Sequence, residues 1–110
     1  MTITARPLFT SQYAVNADTT MYTSSDGRTI LDKCTAYNSD AATRTLTINI
    51  VASGGSAGAS NINIVKSIAT GDTYTFPEIV GHVLESGGFV SMKADAASKV
   101  VVRMSGRVVT

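Results

Sequence analysis

The sequence predicts an all-β protein, an antiparallel and jelly-roll-like β-sandwich of about eight short strands. Segments in which apolar and polar residues alternate recur along the chain, and turn signals separate them at roughly ten-residue spacing. No segment has the periodicity of an amphipathic helix longer than about two turns. The length of 110 residues suits one domain with a single hydrophobic core.

The first thirteen residues, MTITARPLFTSQY, are expected to be extended. Ile3, Ala5 and Leu8 alternate only weakly with polar residues, and Pro7 has no amide hydrogen to donate to a neighbouring strand. Two interpretations therefore remain open for residues 1–13: an edge strand of the sandwich, or an arm that reaches onto a neighbouring subunit. Residues 14–110 are predicted to form the sandwich domain.

The next two strands are predicted at 19–23 and 29–38, and a turn at Asp26-Gly27 separates them. In the longer strand, strict alternation places a carboxylate on the same face as three apolar residues. These four residues are Ile30, Asp32, Cys34 and Ala36. We therefore expect Asp32 either to have a charged partner or to lie at a strand end.

The clearest strand signal lies at 43–51, where Leu46, Ile48 and Ile50 alternate with polar residues. Only a short loop separates this segment from 29–38, so the two segments are expected to form a hairpin. Further strands are predicted at 61–68, 73–76, 89–94 and 99–109, with a helical turn beginning at Pro77.

The loop at 53–60 is rich in Gly, Ser and Ala, which invites comparison with a phosphate-binding loop. Such a loop requires a Lys-Ser or Lys-Thr pair and a following helix, whereas a strand pattern follows here. We interpret the segment as a loop at a contact surface. Its candidate contact residues are Gly54, Gly55, Ser56 and Gly58.

His82 is the single histidine, and Glu78 and Glu85 lie close to it in the sequence. Two carboxylates and one imidazole on a loop are a weak metal motif, so all three are expected at an interface and no metal or cofactor is predicted. Cys34, the single cysteine, lies on a strand face where it is expected to act as a small hydrophobe. No catalytic residue is predicted, and the protein is not expected to be an enzyme.

Charged residues make up 15% of the chain and the net charge is +1, with the Lys and Arg residues scattered. Because no run of cations could neutralise a row of phosphates, nucleic-acid binding is not expected. No apolar run has the length of a membrane helix or the character of a signal peptide, so we expect a soluble protein without an export signal. A sparsely charged surface favours burial in an assembly.

Several segments resemble small β-sandwich virion proteins of tailed bacteriophages, namely capsid cement (decoration) proteins or related neck and tail proteins. The segments are SGGSAGASN (53–61), ATGDTY (69–74), PEIVGHVLESGG (77–88), VVRMSGRVVT (101–110) and CTAYNSDAATRTLTINIV (34–51). The resemblance covers about three quarters of the chain. The turn at 24–27 and position 70 lack the prolines that are common in the family.

The resemblance implies a structural protein of the virion, made in the host cytoplasm. Its partners would be the major capsid protein and copies of itself, in a dimer or trimer, without nucleic acid, membrane or small-molecule substrate. Alternatives are a neck, tail or fibre-base protein, or a carbohydrate-binding module that would use Tyr13, Tyr22, Tyr37 and Tyr74. The expected contact residues are Ile3, Arg6, Pro7, Leu8, Phe9, Gly54, Gly55, Ser56, Gly58, Glu78, His82, Glu85, Arg103 and Arg107.

Overall fold

Two antiparallel sheets face each other in the computed structural model, which describes residues 1–110. The strands are β1 (Ile3–Tyr13), β2 (Thr19–Thr23), β3 (Arg28–Asn38), β4 (Arg44–Val51), β5 (Ile62–Ile68), β6 (Thr73–Tyr74), β7 (Val83–Leu84), β8 (Phe89–Ala94) and β9 (Val100–Val109). Two single 3-10 turns, at Ala59–Asn61 and Pro77–Ile79, are the helical segments. Neither of them is long enough to span a bilayer.

The strand order is that of a jelly roll. Sheet 1 has the order β1-β9-β3-β6, with β7 also paired to β3, and sheet 2 has the order β2-β8-β4-β5. Strands β6 and β7 pair with opposite ends of β3 and so occupy one position, which leaves four positions in each sheet. The predicted antiparallel sandwich of about eight strands is therefore confirmed.

The hairpin predicted from segments 29–38 and 43–51 is wrong. β3 pairs with β9 in sheet 1, whereas β4 pairs with β5 and β8 in sheet 2. The short loop between them carries the chain from one sheet to the other. Both strands then turn their apolar faces toward the same core, and the alternation along each strand records that orientation but not the neighbour.

A β-bulge in β3 explains the mixed face predicted for this strand. Leu31 pairs with Gly106 and Lys33 with Ser105, so Asp32 is an extra residue without a partner position on β9. Alternation restarts after the bulge, and Leu31 and Cys34 are both buried. The prediction that Ile30 faces the core with Cys34 is therefore wrong, because the bulge turns Ile30 outward into partial exposure.

The core lies between the sheets and is built from the apolar rows of the central strands. β9 contributes Val100, Val102 and Met104 as its alternation predicts, and β4 contributes Leu46 and Ile48. The remaining core residues come from β1, β3, β5, β7 and β8 and from the connection after β6. Among them are Phe9, Leu31, Ile64, Phe76, Ile79, Val90 and Met92. Phe76 ends the predicted strand 73–76 early, because it begins the 3-10 turn at Pro77.

Gly106 allows β3 and β9 to approach closely at the bulge. A Cβ at this position would collide with the backbone carbonyl oxygen of Ile30 and would lie 3.2 Å from Leu8 Cδ1. Glycine within a strand often marks such an approach between backbones. The constraint comes from space rather than from a positive φ.

We expect Gly106→Ala to destabilise the fold by about 1–3 kcal/mol, because the β3 backbone must move away from the added methyl group. The midpoint of urea unfolding measures the loss. The control is Gly58→Ala: Gly58 has an extended φ of −168° and open space around its Cβ position, so this variant should stay within about 0.5 kcal/mol of the native protein. Equal stability of the two variants would contradict the packing argument.

Candidate interaction surface

The predicted contact residues of the first segment lie on β1, an edge strand that pairs with β9. Ile3, Arg6 and Pro7 are exposed there, and register shifts follow Pro7 and Phe9. The prediction that Phe9 contacts a partner is wrong. Its side chain packs in the core and is only 7% exposed, so it is not available to a partner. Leu8 is half-buried against the core.

The glycine-rich loop after β4 is held in shape by two asparagines that were not predicted as functional residues. Asn61 Oδ1 accepts hydrogen bonds from the Gly58 amide at 3.0 Å and from Asn49 Nδ2 at 2.6 Å. Asn61 Nδ2 donates to the Ser56 carbonyl at 2.7 Å, and Asn49 Nδ2 donates to the Gly58 carbonyl at 3.0 Å. Gly58 and Ser56 are thus presented by a defined loop.

Asn49 is buried, although alternation along β4 places it on the outward face. The loop at 53–61 folds back over the sheet and covers it. A polar residue at an outward position gives no sign of this in the sequence, because the covering loop belongs to the tertiary structure. Asn49 Oδ1 and the hydroxyl of Ser91, its cross-strand neighbour, have no hydrogen-bond partner.

One end of the sandwich brings together parts of two predicted contact loops and the turn at 24–27. The Gly87 amide donates to the Ser24 carbonyl at 2.6 Å, and the Ser24 amide donates to the Gly88 carbonyl at 2.9 Å. A recess between residues 50–53 and 83–88 joins this turn to the start of the glycine-rich loop. We call residues 24–27, 52–56 and 84–88 the loop end. Glu85, with its salt bridge to Arg28 at 3.2 Å, lies on it.

Glu78 and His82 are exposed on the chain between β6 and β7. Glu78 Oε1 accepts a hydrogen bond from the Tyr74 hydroxyl at 2.8 Å. A hydrogen bond from its own backbone amide and this bond from Tyr74 lower the pKa of Glu78, and the same bond to the carboxylate raises the pKa of Tyr74. No three His, Cys, Asp or Glu side chains gather into a group that could hold a metal ion.

Asp32 has the charged partner that its position predicts. Arg107 Nη2 and Nε donate to Asp32 Oδ1 and Oδ2 at 2.9 and 3.0 Å, a two-pronged pair on the outer face of sheet 1. These hydrogen bonds raise the pKa of Arg107. Arg107 is therefore already paired within the chain. Arg103 and Lys33, on the same face, form no salt bridge.

Two exposed tyrosines flank Val101 on the outer face of sheet 1. Tyr13 on β1 and Tyr37 on β3 both pair with Val101 on β9, and the two tyrosines are 51% and 41% exposed. Residues paired directly across strands share a face, so the three form one row. We call Tyr13, Val101 and Tyr37 the tyrosine row. Both tyrosines are candidate stacking residues in the sequence, but their common pairing with β9 is visible only in the structure.

Cys34 lies in the core, as its strand face predicts. Burial raises the pKa of its thiol to about 12. Because the thiolate is the nucleophilic form, the thiol is unreactive at neutral pH.

No protein-family model matches the chain, and no curated protein matches it. A solved structure does match, that of a Bacillus endospore appendage protein, from a family of disulfide-linked pili. The match covers 97% of this chain and 88% of the other, with a TM-score of 0.59 and 17% sequence identity. The likeness concerns the fold.

We expect Cys34 to make the fold less stable as the pH rises above about 9. The pKa of the thiol has its ordinary value of 9.0 in the unfolded chain, and burial raises it to about 12 in the folded one. Between these values the folded state holds the extra proton, so the unfolding free energy falls by about 1.4 kcal/mol per pH unit. Urea unfolding at a series of pH values measures the slope.

Cys34→Ala is the control, because it lacks the titrating group at the same core position. The difference in unfolding free energy between the native protein and this variant should shrink in that pH window. Parallel pH profiles for the two proteins would show that burial does not control the thiol.

Proposed function

We propose that this chain is a non-enzymatic structural protein of a tailed-phage virion, a capsid cement protein that binds the outer surface of the head shell. The observation that carries the proposal is the loop end, where the turn at 84–88 and the start of the glycine-rich loop lie side by side. Both segments belong to the stretches that resemble phage virion proteins. Its partners are the major capsid protein and further copies of this chain.

The shape of the loop end supports a contact role. Hydrogen bonds fix both of its segments, through Ser24 on one side and through Asn61 on the other. A surface that is ordered before it meets its partner loses less conformational entropy on binding. Glycine and serine leave the backbone accessible, so a partner can contact the chain closely at Gly54, Gly55 and Ser56.

Many copies of this chain, each with a small contact, would be held on the shell more tightly than a single copy. Each copy on a lattice adds an interface of limited area, and linked copies bind far more tightly than single ones. Cementing a shell therefore requires many identical small contacts rather than one large one. The endospore appendage protein, whose fold is similar, belongs to a family of disulfide-linked pili, so this fold is compatible with a structural assembly.

A filament subunit is the second candidate, and the likeness to the endospore appendage favours it. Cys34 bears on this alternative. It is the single cysteine of the chain and is fully buried, so it cannot link subunits by a disulfide while the sandwich stays folded. A filament of this chain would be held by non-covalent contacts. A neck, tail or fibre-base location remains the other virion alternative.

Counting copies in purified particles tests the proposal. Quantitative mass spectrometry should find this chain at a copy number comparable to that of the major capsid protein. A few copies per particle would replace the cement role with a neck or tail role. Absence from particles, with the chain recovered in filaments, would overturn the virion assignment.

A pair of arginine substitutions tests the loop end. Ser56→Arg adds a bulky charge to the exposed glycine-rich loop, whereas Ala41→Arg adds the same group to the exposed loop at the opposite end of β4. We expect Ser56→Arg to lose co-sedimentation with heads stripped of the native protein, because it obstructs the contact, and Ala41→Arg to retain it. The reverse result would place the contact at the other end of the sandwich.

A further inference from the structure

We propose that the outer face of sheet 1 binds an anionic polysaccharide, with sugar rings on Tyr13 and Tyr37 and acidic groups at Lys33 and Arg103. This binding activity is separate from the loop end. It follows from what the strand register brings together on one face.

The four tyrosines of the chain divide into two pairs. The Tyr22 hydroxyl bonds to the Thr29 hydroxyl at 3.0 Å, and the side chain packs against the core. Tyr74 packs edge-on against Phe76, with ring centroids 4.7 Å apart, and Lys66 Nζ lies 4.4 Å above its ring. Tyr13 and Tyr37 have no such partners and are the two most exposed tyrosines.

The tyrosine row spaces these two side chains across three strands. Neighbouring strands lie about 4.8 Å apart, so the backbones of Tyr13 and Tyr37 are separated by about 10 Å, with Val101 between them. Side chains stand roughly perpendicular to a sheet, so both rings project from the same flat face. A chain of sugar rings that crosses the strands can contact both.

Lys33 and Arg103 supply the charge beside the row. Arg103 pairs across the strands with Thr35, and Lys33 pairs with Ser105. These four residues line a shallow recess of about 220 Å³ that contains two cations and two hydroxyl groups but no carboxylate. The nearby carboxylate of Asp32 is occupied by Arg107. The recess is therefore complementary to an acidic group.

The composition of the face favours a polysaccharide over a protein partner. The buried core of a protein interface is rich in apolar surface. On this face the exposed apolar side chains are divided between the tyrosine row at one end of the sheet and a second group, with Ile3, Ile30 and Val83, at the other end. Beside the tyrosine row, the recess presents the hydroxyl, ammonium and guanidinium groups of Thr35, Ser105, Lys33 and Arg103. A sugar chain alternates apolar ring faces with hydroxyl and acidic groups, and this alternation matches tyrosine rings beside polar donors.

Affinity electrophoresis tests the proposal with three defined polymers: polygalacturonate as the anionic polysaccharide, dextran as the neutral one and polyglutamate as an acidic polypeptide. We expect retardation by polygalacturonate and none by dextran. Tyr13→Ala and Tyr37→Ala should each weaken the binding about fivefold, because each removes one stacking ring, while Tyr37→Phe should retain it. Lys33→Gln should weaken binding about threefold at low salt.

Lys93→Gln is the matched charge control. Lys93 is also exposed and without a salt bridge, but it lies on sheet 2, so its substitution should leave binding unchanged. An equal loss for Lys93→Gln and Lys33→Gln would reduce the effect to general charge attraction and overturn the assignment. Binding to polyglutamate as tight as to polygalacturonate, unaffected by Tyr37→Ala, would assign the face to an acidic protein instead. Failure to bind any polymer would also overturn it.

Discussion

The burial of facing apolar rows from the two sheets is the interaction on which the rest of this structure depends. Val102 and Met104 of β9 meet a core that Leu46 and Ile48 of β4 complete from the other sheet. Such burial contributes about 25 cal/mol for each Å² of apolar surface removed from water. Because alternate residues of each central strand are used in this way, the intervening residues are left to form the outer faces.

The alternating apolar residues that form these rows account for most of the fold that could be predicted from the sequence, namely the positions of the strands. Alternation of period two located β4, β8 and β9 within a residue of their observed bounds, since a half-buried strand records its orientation in every second side chain. It does not record the neighbour of a strand, and the hairpin expected from β3 and β4 failed for that reason. Nor does it record a bulge, which is why Ile30 was placed on the wrong face.

The candidate surfaces were predictable only as residue types. Glycines and serines at 53–58 indicate a loop, but the asparagine bonds that shape it join Asn49 and Asn61, twelve positions apart. Phe9 sits in a segment with weak alternation, and register shifts around it turn its side chain into the core. The tyrosine row needs the register of three strands, which local patterns do not carry. Long-range pairing, rather than local propensity, decides these features.

The bulge at Asp32 divides the outer face of β3 into two halves that can vary independently. Tyr37, Thr35 and Lys33 lie on one side of it, and Ile30 and Arg28 lie on the other, each half with its own alternation phase. Because Leu31 and Lys33 already pair with the neighbouring residues Gly106 and Ser105, losing the extra residue would restore regular alternation and leave both halves facing as they do. A lineage could therefore gain or lose residue 32, and with it the charged partner of Arg107, while the surface around Tyr37 stays as it is.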